Sequence, residues 1–139
     1  MKDFITLFVI SVLASFGRSH FVLQSPTSLG YDDAKEGTSP CGSFDIANRD
    51  NVTRYPLEGF PIHVLTTHPK ATFRYRVATV SNLDNWTDLI PPVAQTGVGD
   101  FCLPKVPGIE SLVGQSVVIQ VTQGAVDGML YQVSLSMRP

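Results

Sequence analysis

"ATFRYRVATV", residues 71–80, decides how this chain is read. Phe73, Tyr75 and Val77 fall on one side of an extended backbone, and Arg74 and Arg76 fall on the other. A period of two is that of a half-buried strand and is incompatible with a helical face. "MLYQVSLSM" (129–137) repeats the pattern, with Met129, Tyr131, Val133, Leu135 and Met137 set against Gln132, Ser134 and Ser136. "SVVIQVT" (116–122) and "FPIHVLT" (60–66) read as further strands, and "HFVLQSP" (20–26) as an edge strand stopped by Pro26. Gly and Pro cluster between these runs and mark turns. One helical turn is expected near "GIESLVG" (108–114), and no long amphipathic helix. Five or more short strands in one small domain predict an all-β fold, a small antiparallel sandwich. Two long polar stretches, 27–59 and 81–115, are expected to be loops that are functional or tied down.

Upstream of the first strand, "FITLFVISVLASF" (4–16) is an apolar run preceded by Lys2. It falls short of the roughly 20 residues that span a bilayer, so residues 1–19 read as a secretory signal peptide. Gly17 and Ser19 are small residues at −3 and −1 of a cut before His20; a cut after Ala14 or Ser15 would leave His20 internal. The domain is then 20–139, in a secreted protein. Its C-terminus, "SLSMRP", lacks the apolar tail of a lipid-anchor signal. Secretion predicts one disulfide between Cys41 and Cys102, the two cysteines present, closing a loop of about 60 residues worth about 4 kcal/mol. The sequons "NVT" at Asn51 and "NWT" at Asn85 agree with that route as glycosylation sites. With a formal net charge of −2 and no basic stripe, the chain carries no electrostatic footprint for nucleic acid. A monomer is expected.

The candidate chemistry lies in three histidines. His63 sits inside a strand between apolar neighbours and reads as a strand residue with no ligand role. His68, in "TTHPKA", falls at a turn where an imidazole can project from the end of a sandwich. His20 as a free N-terminus would offer a metal its α-amine and Nδ1 in one chelate ring. A second imidazole opposite completes a planar T of three nitrogens, the histidine brace, and nitrogen ligands in a tetragonal plane select Cu(II). Zinc prefers a tetrahedron with a further side chain. A carboxylate nearby would add charge or a ligand. Asp127 in "GAVDGMLYQV" is the first choice, Asp100 in "GVGDFC" the second, and Asp32, Asp33 and Glu36 in "YDDAKEG" the third. No GxSxG, HExxH, CxxC or phosphate loop is present, and no Ser/His/Asp spacing favours a triad, so no catalytic residue is assigned.

Five segments in series carry a family resemblance: "HFVLQSPTSLGYDDAKEGTSPCGSFD" (20–45), "NRDNVTRYPLEG" (48–59), "THPKATFRYRV" (67–77), "GDFCLP" (99–104) and "DGMLYQVSL" (127–135). In this the chain is similar to fungal LPMO-like proteins of the copper acquisition factor (BIM-like) group. The resemblance implies an immunoglobulin-like sandwich, as in lytic polysaccharide monooxygenases. It implies copper held by His20 with its amine, by His68, and near Asp127. It also implies copper binding for acquisition or homeostasis without sugar cleavage, with a cell-surface copper transporter or the cell wall as partner. Val133 stands where the family usually has cysteine in "LYQC". Trp86, the one tryptophan, lies within the second sequon, where a glycan on Asn85 would obstruct a sugar platform. Two other readings stand beside this one: a copper-dependent polysaccharide monooxygenase, and a metal-free secreted structural or adhesive domain.

Overall fold

The computed structural model describes residues 19–49 and 51–137; the expected leader therefore lies almost wholly outside the described residues. The strands are β1 (Phe21–Ser25), β2 (Val52–Arg54), β3 (Phe60–Thr66), β4 (Lys70–Thr79), β5 (Thr87–Asp88), β6 (Val93–Thr96), β7 (Gly99–Val106), β8 (Ser116–Ala125) and β9 (Gly128–Met137). The expected helical turn is a short 3-10 segment, Glu110–Leu112. One sheet has the order β1-β3-β7; the other runs β2-β9-β8-β4-β5, with β6 also paired to β4. The fold is thus the predicted all-β sandwich, LPMO-like, with one exception to antiparallel pairing: β2 runs parallel to β9.

Alternation builds the core. Phe73, Tyr75 and Val77 of β4 and Val117, Ile119 and Val121 of β8 face Phe21, Leu23, Ile62 and Val64 of the smaller sheet. Phe21 meets Phe73 edge to face at 5.5 Å between ring centroids, a favoured geometry for quadrupolar rings. The alternation of β9 has an unexpected orientation. Its register sets Gln132, Ser134 and Ser136 opposite Val121, Ile119 and Val117, so its polar face points into the sandwich. Its apolar face is buried on the outside, where Val133 and Leu135 join Val118 and Cys41 in a second core covered by Leu29, Ile46 and Trp86. The segment before β2, expected as a polar loop, is the lid of that second core.

Two expectations are corrected. Cys41 and Cys102 are both free thiols, one buried and one exposed. Cys41 packs on the outer face of the larger sheet and Cys102 points outward from β7 of the smaller one, so the main core lies between them and the predicted disulfide does not form. Segment 81–115 is not loop but holds β5, β6 and β7, hidden from the hydrophobic pattern because these strands lie at or near sheet edges and are broken by Pro and Gly. The sequon residues Asn51 and Asn85 are both exposed.

Candidate metal centre

His20 and His68 are brought to one end of the sandwich by strand register. Phe21 pairs with Thr66 across β1 and β3, which sets His20 beside Thr67. Thr67 holds the main chain of His20 with three hydrogen bonds: its N–H and hydroxyl donate to the His20 carbonyl at 3.0 and 3.1 Å, and the His20 N–H donates to its Oγ1 at 3.0 Å. His68 follows at once in the turn to β4 and is buried. Its N–H donates to Thr66 Oγ1 at 3.1 Å, and the Gln123 amide donates to the same oxygen at 2.6 Å. The Gln95 amide donates to the His68 carbonyl at 2.8 Å and also to the carbonyl of Gly97. Buried polar groups require such partners, and here the partners fix both histidine backbones.

The acids divide into separate roles. Glu36 reaches in from the segment before β2 and is 2% exposed. Its Oε2 lies 2.9 Å from His20 Nδ1, and its Oε1 accepts from Gln132 Nε2 at 2.8 Å. Gln132 also donates to the Phe21 carbonyl and accepts from the Leu23 N–H at 2.9 Å, so one side chain ties β9 to β1 and to Glu36. Burial pushes the Glu36 carboxyl above its ordinary range, opposed by the hydrogen bonds from Gln132 and His20. Asp33 contacts His20 Nε2 and remains exposed to solvent. The Tyr31 ring stands edge-on to the His20 imidazole at 6.4 Å; burial first, then the charges of Glu36 and Asp33, raise its phenol pKa. Asp127 sits in the tight β8–β9 hairpin closed by Ala125 and Gly128, the latter at φ 129°. Its Oδ1 lies 3.9 Å from His68 Nε2.

The remaining candidates lie elsewhere. Asp32 pairs with Lys35 at 3.8 Å. Asp100 is 2.7 Å from His63 Nε2, away from the two clustered histidines. Three residues central to the site, Gln132, Gln95 and Thr67, were not singled out from the sequence; the signals for them were the "LYQ" segment that contains Gln132 and the "TTHPKA" turn that contains Thr67. Among the described residues, no three His, Cys, Asp or Glu side chains form a ready metal cluster. A brace needs only two imidazoles, because its third nitrogen is a chain terminus. The donor set of two imidazole rings flanked by carboxylates therefore fits a copper ion.

A sandwich that leads its first strand with a histidine, sets a second histidine beside it and rings both with carboxylates has the architecture of an LPMO-like protein. The chain belongs to the family of copper acquisition factors of BIM1-like type, whose model matches residues 18–134. It is 30% identical over 134 residues to lytic polysaccharide monooxygenase-like protein X325 of Yarrowia lipolytica, covering 88% of this chain and 50% of the relative. It is 28% identical over 145 residues to copper acquisition factor BIM1 of Cryptococcus neoformans var. grubii, covering 93% and 64%. To the protein of the same name in C. neoformans var. neoformans it is 30% identical over 144 residues, covering 92% and 64%. The chain thus spans between half and just under two thirds of the length of these curated relatives.

Proposed function

We propose that this chain, secreted and cut before His20, carries copper as cargo for extracellular acquisition or homeostasis and does not cleave polysaccharide. The observation that carries the reading is the convergence of His20 and His68 through Thr67 at an end lined by Glu36, Asp33 and Asp127. The His20 amine and Nδ1 and the His68 ring would hold Cu(II). To free Nδ1, the ion must displace the bond from Glu36. Gln132 keeps that carboxylate in place, so its charge stays beside the cation. Asp33 and Asp127, at 67% and 58% exposed, add the negative potential that draws cations from solution. Loading displaces protons from the ligand nitrogens, so acid favours release. The receiving partner in this reading is a cell-surface copper transporter or the cell wall.

The placement of Trp86 favours cargo over oxygenase chemistry. A polysaccharide oxygenase needs a face that binds sugar beside its metal. Trp86 is half-buried on the second core with the Arg76 guanidinium 5.6 Å from its ring, and the next residue, Thr87, pairs with Val77 toward the far end of β4. The test is a Cu(II) titration, read by electron paramagnetic resonance, of the chain beginning at His20 beside one carrying a single extra residue before it. One tight equivalent with a nitrogen-rich tetragonal spectrum, lost on extension, is expected; binding indifferent to the extension would overturn the brace. Release of oxidised sugars from chitin or cellulose by the loaded protein with a reductant would overturn the cargo reading.

A further inference from the structure

The strand β7 is the outer strand of the three-stranded sheet, paired with β3 on one side and with no strand on the other among the described residues. Its inward side chains Phe101 and Leu103 are only half-buried. They line, with Phe73, Tyr75 and Val93, a cleft of about 340 Å³ between the two sheets. Gln95, itself 4% exposed, lines the same cleft and has a side-chain oxygen with no partner among the described residues. Cys102 stands at the middle of this strand, exposed, and its expected partner Cys41 is out of reach on the other sheet. An open edge with apolar side chains behind it is a template for pairing with another chain.

The sequence of the edge says which chain. "GDFCLPK", residues 99–105, is self-complementary about Cys102. Antiparallel pairing about a two-fold axis at that residue sets Cys102 opposite its own copy. It sets Phe101 opposite Leu103 on the inner face, twice, and brings the acidic end at Asp100 toward the basic end at Lys105. The Thr67 N–H bonds the His20 carbonyl, so by alternation Val64 turns its N–H and C=O to Phe101, and Cys102 turns its own to the open edge. As a hydrogen-bonded pair the two Cys102 Cα atoms would lie about 5.5 Å apart, within the span a disulfide bridges. Cys102 and Asp100 would then supply the ladder bonds, the Asp100 N–H donating to the Pro104 carbonyl, and Pro104, which has no N–H to return, would end the ladder. The bulge between Leu103 and Val106, where β7 carries an extra residue against β3, ends the pairable run.

We infer that a second copy of this chain docks on β7, locked by a Cys102–Cys102 disulfide, in place of the monomer the sequence led us to expect. With oxidised glutathione as the named oxidant, one Cys102 thiolate attacks its disulfide and expels one glutathione. The second Cys102 thiolate attacks the mixed disulfide and expels the other, so two thiols are oxidised as one glutathione disulfide is reduced. The inference is independent of copper, and its test runs with a chelator present. Dimer formation under oxidised glutathione is followed by non-reducing electrophoresis and intact mass, with hydrogen exchange at β7. The wild type is expected to form a disulfide dimer in which the Asp100 and Cys102 amides gain protection, and Cys102→Ser to form none. Asp100→Lys sets like charges together at both symmetric contacts and should slow dimer formation about tenfold; adding Lys105→Asp should restore it. Arrest at the glutathione adduct, or an Asp100→Lys rate equal to wild type, would overturn the inference.

Discussion

Glu36 Oε2 sits 2.9 Å from His20 Nδ1, so a buried carboxylate already holds the ring nitrogen that a histidine brace would give to copper. The same carboxylate accepts from Gln132 on β9, so the site and the fold share one hydrogen-bonded unit. Cutting it should cost stability. Glu36→Leu leaves Gln132 and His20 without their acceptor and is expected to lower unfolding free energy by about 3 kcal/mol. Glu36→Gln keeps the shape and should cost about half that. Urea denaturation at neutral pH measures both; equal and negligible losses would show that the contact is not coupled to folding.

Copper binding should fall by at least about a hundredfold in His20→Ala and in His68→Ala. Asp127→Asn, at 3.9 Å from His68 Nε2, should cost about tenfold, as groups that orient a ligand do. Competition against a chelator of known affinity reads all three. An Asp127 variant as poor as the histidine variants would make that carboxylate a ligand in its own right.

The free thiols make a paired prediction. Exposed Cys102 should react with a maleimide within minutes, whereas buried Cys41 should react only as the protein unfolds. Cys41 packs with Val133 in the second core, at the position where the family usually carries a second cysteine. Val133→Cys is therefore expected to form a disulfide with Cys41, read as a mass loss of about 2 Da, with about 2–4 kcal/mol of added stability over its reduced form.

Alkaline pH should destabilise the fold. Burial pushes the Cys41 thiol from an ordinary 9.0 to about 11, and the Tyr75 phenol from 10.0 to about 12. Both protons are held more tightly in the folded state, so above pH 9 the unfolded chain binds fewer protons and stability falls as pH rises. The decline should begin near pH 9 and continue to about pH 12, and Cys41→Ala should remove its first part. Stability constant from pH 8 to 11 in the wild type would contradict this.

Gly42 has φ 61°, and a Cβ there would meet the Tyr131 carbonyl oxygen at 2.5 Å. Gly42→Ala is expected to cost about 2–3 kcal/mol, through backbone strain and displacement of the segment that carries Glu36. Thermal unfolding measures the loss, and a variant as stable as wild type would mean that the segment yields freely.

The sequence by itself determined the strands that alternate. Residues 71–80 and 129–137 carry a period of two that no other secondary structure satisfies, and these segments form β4 and β9. It also placed His20 at the start of the first strand and His68 in a turn, because an edge strand and a Thr-His-Pro turn are local features. Only the tertiary structure decided which face of β9 is inside. Both faces are buried, the apolar one beneath a lid from residues far away in the chain, and period alone does not say which side that lid covers. The fate of the cysteines was decided the same way, since pairing depends on which sheet and which face each thiol occupies. So was the choice among the acids: Glu36, ranked below Asp127 and Asp100, is the one buried against His20. Solvated and buried carboxylates look identical in sequence. They separate only when Gln132, 96 residues further on, arrives to share the cost of burying a charge.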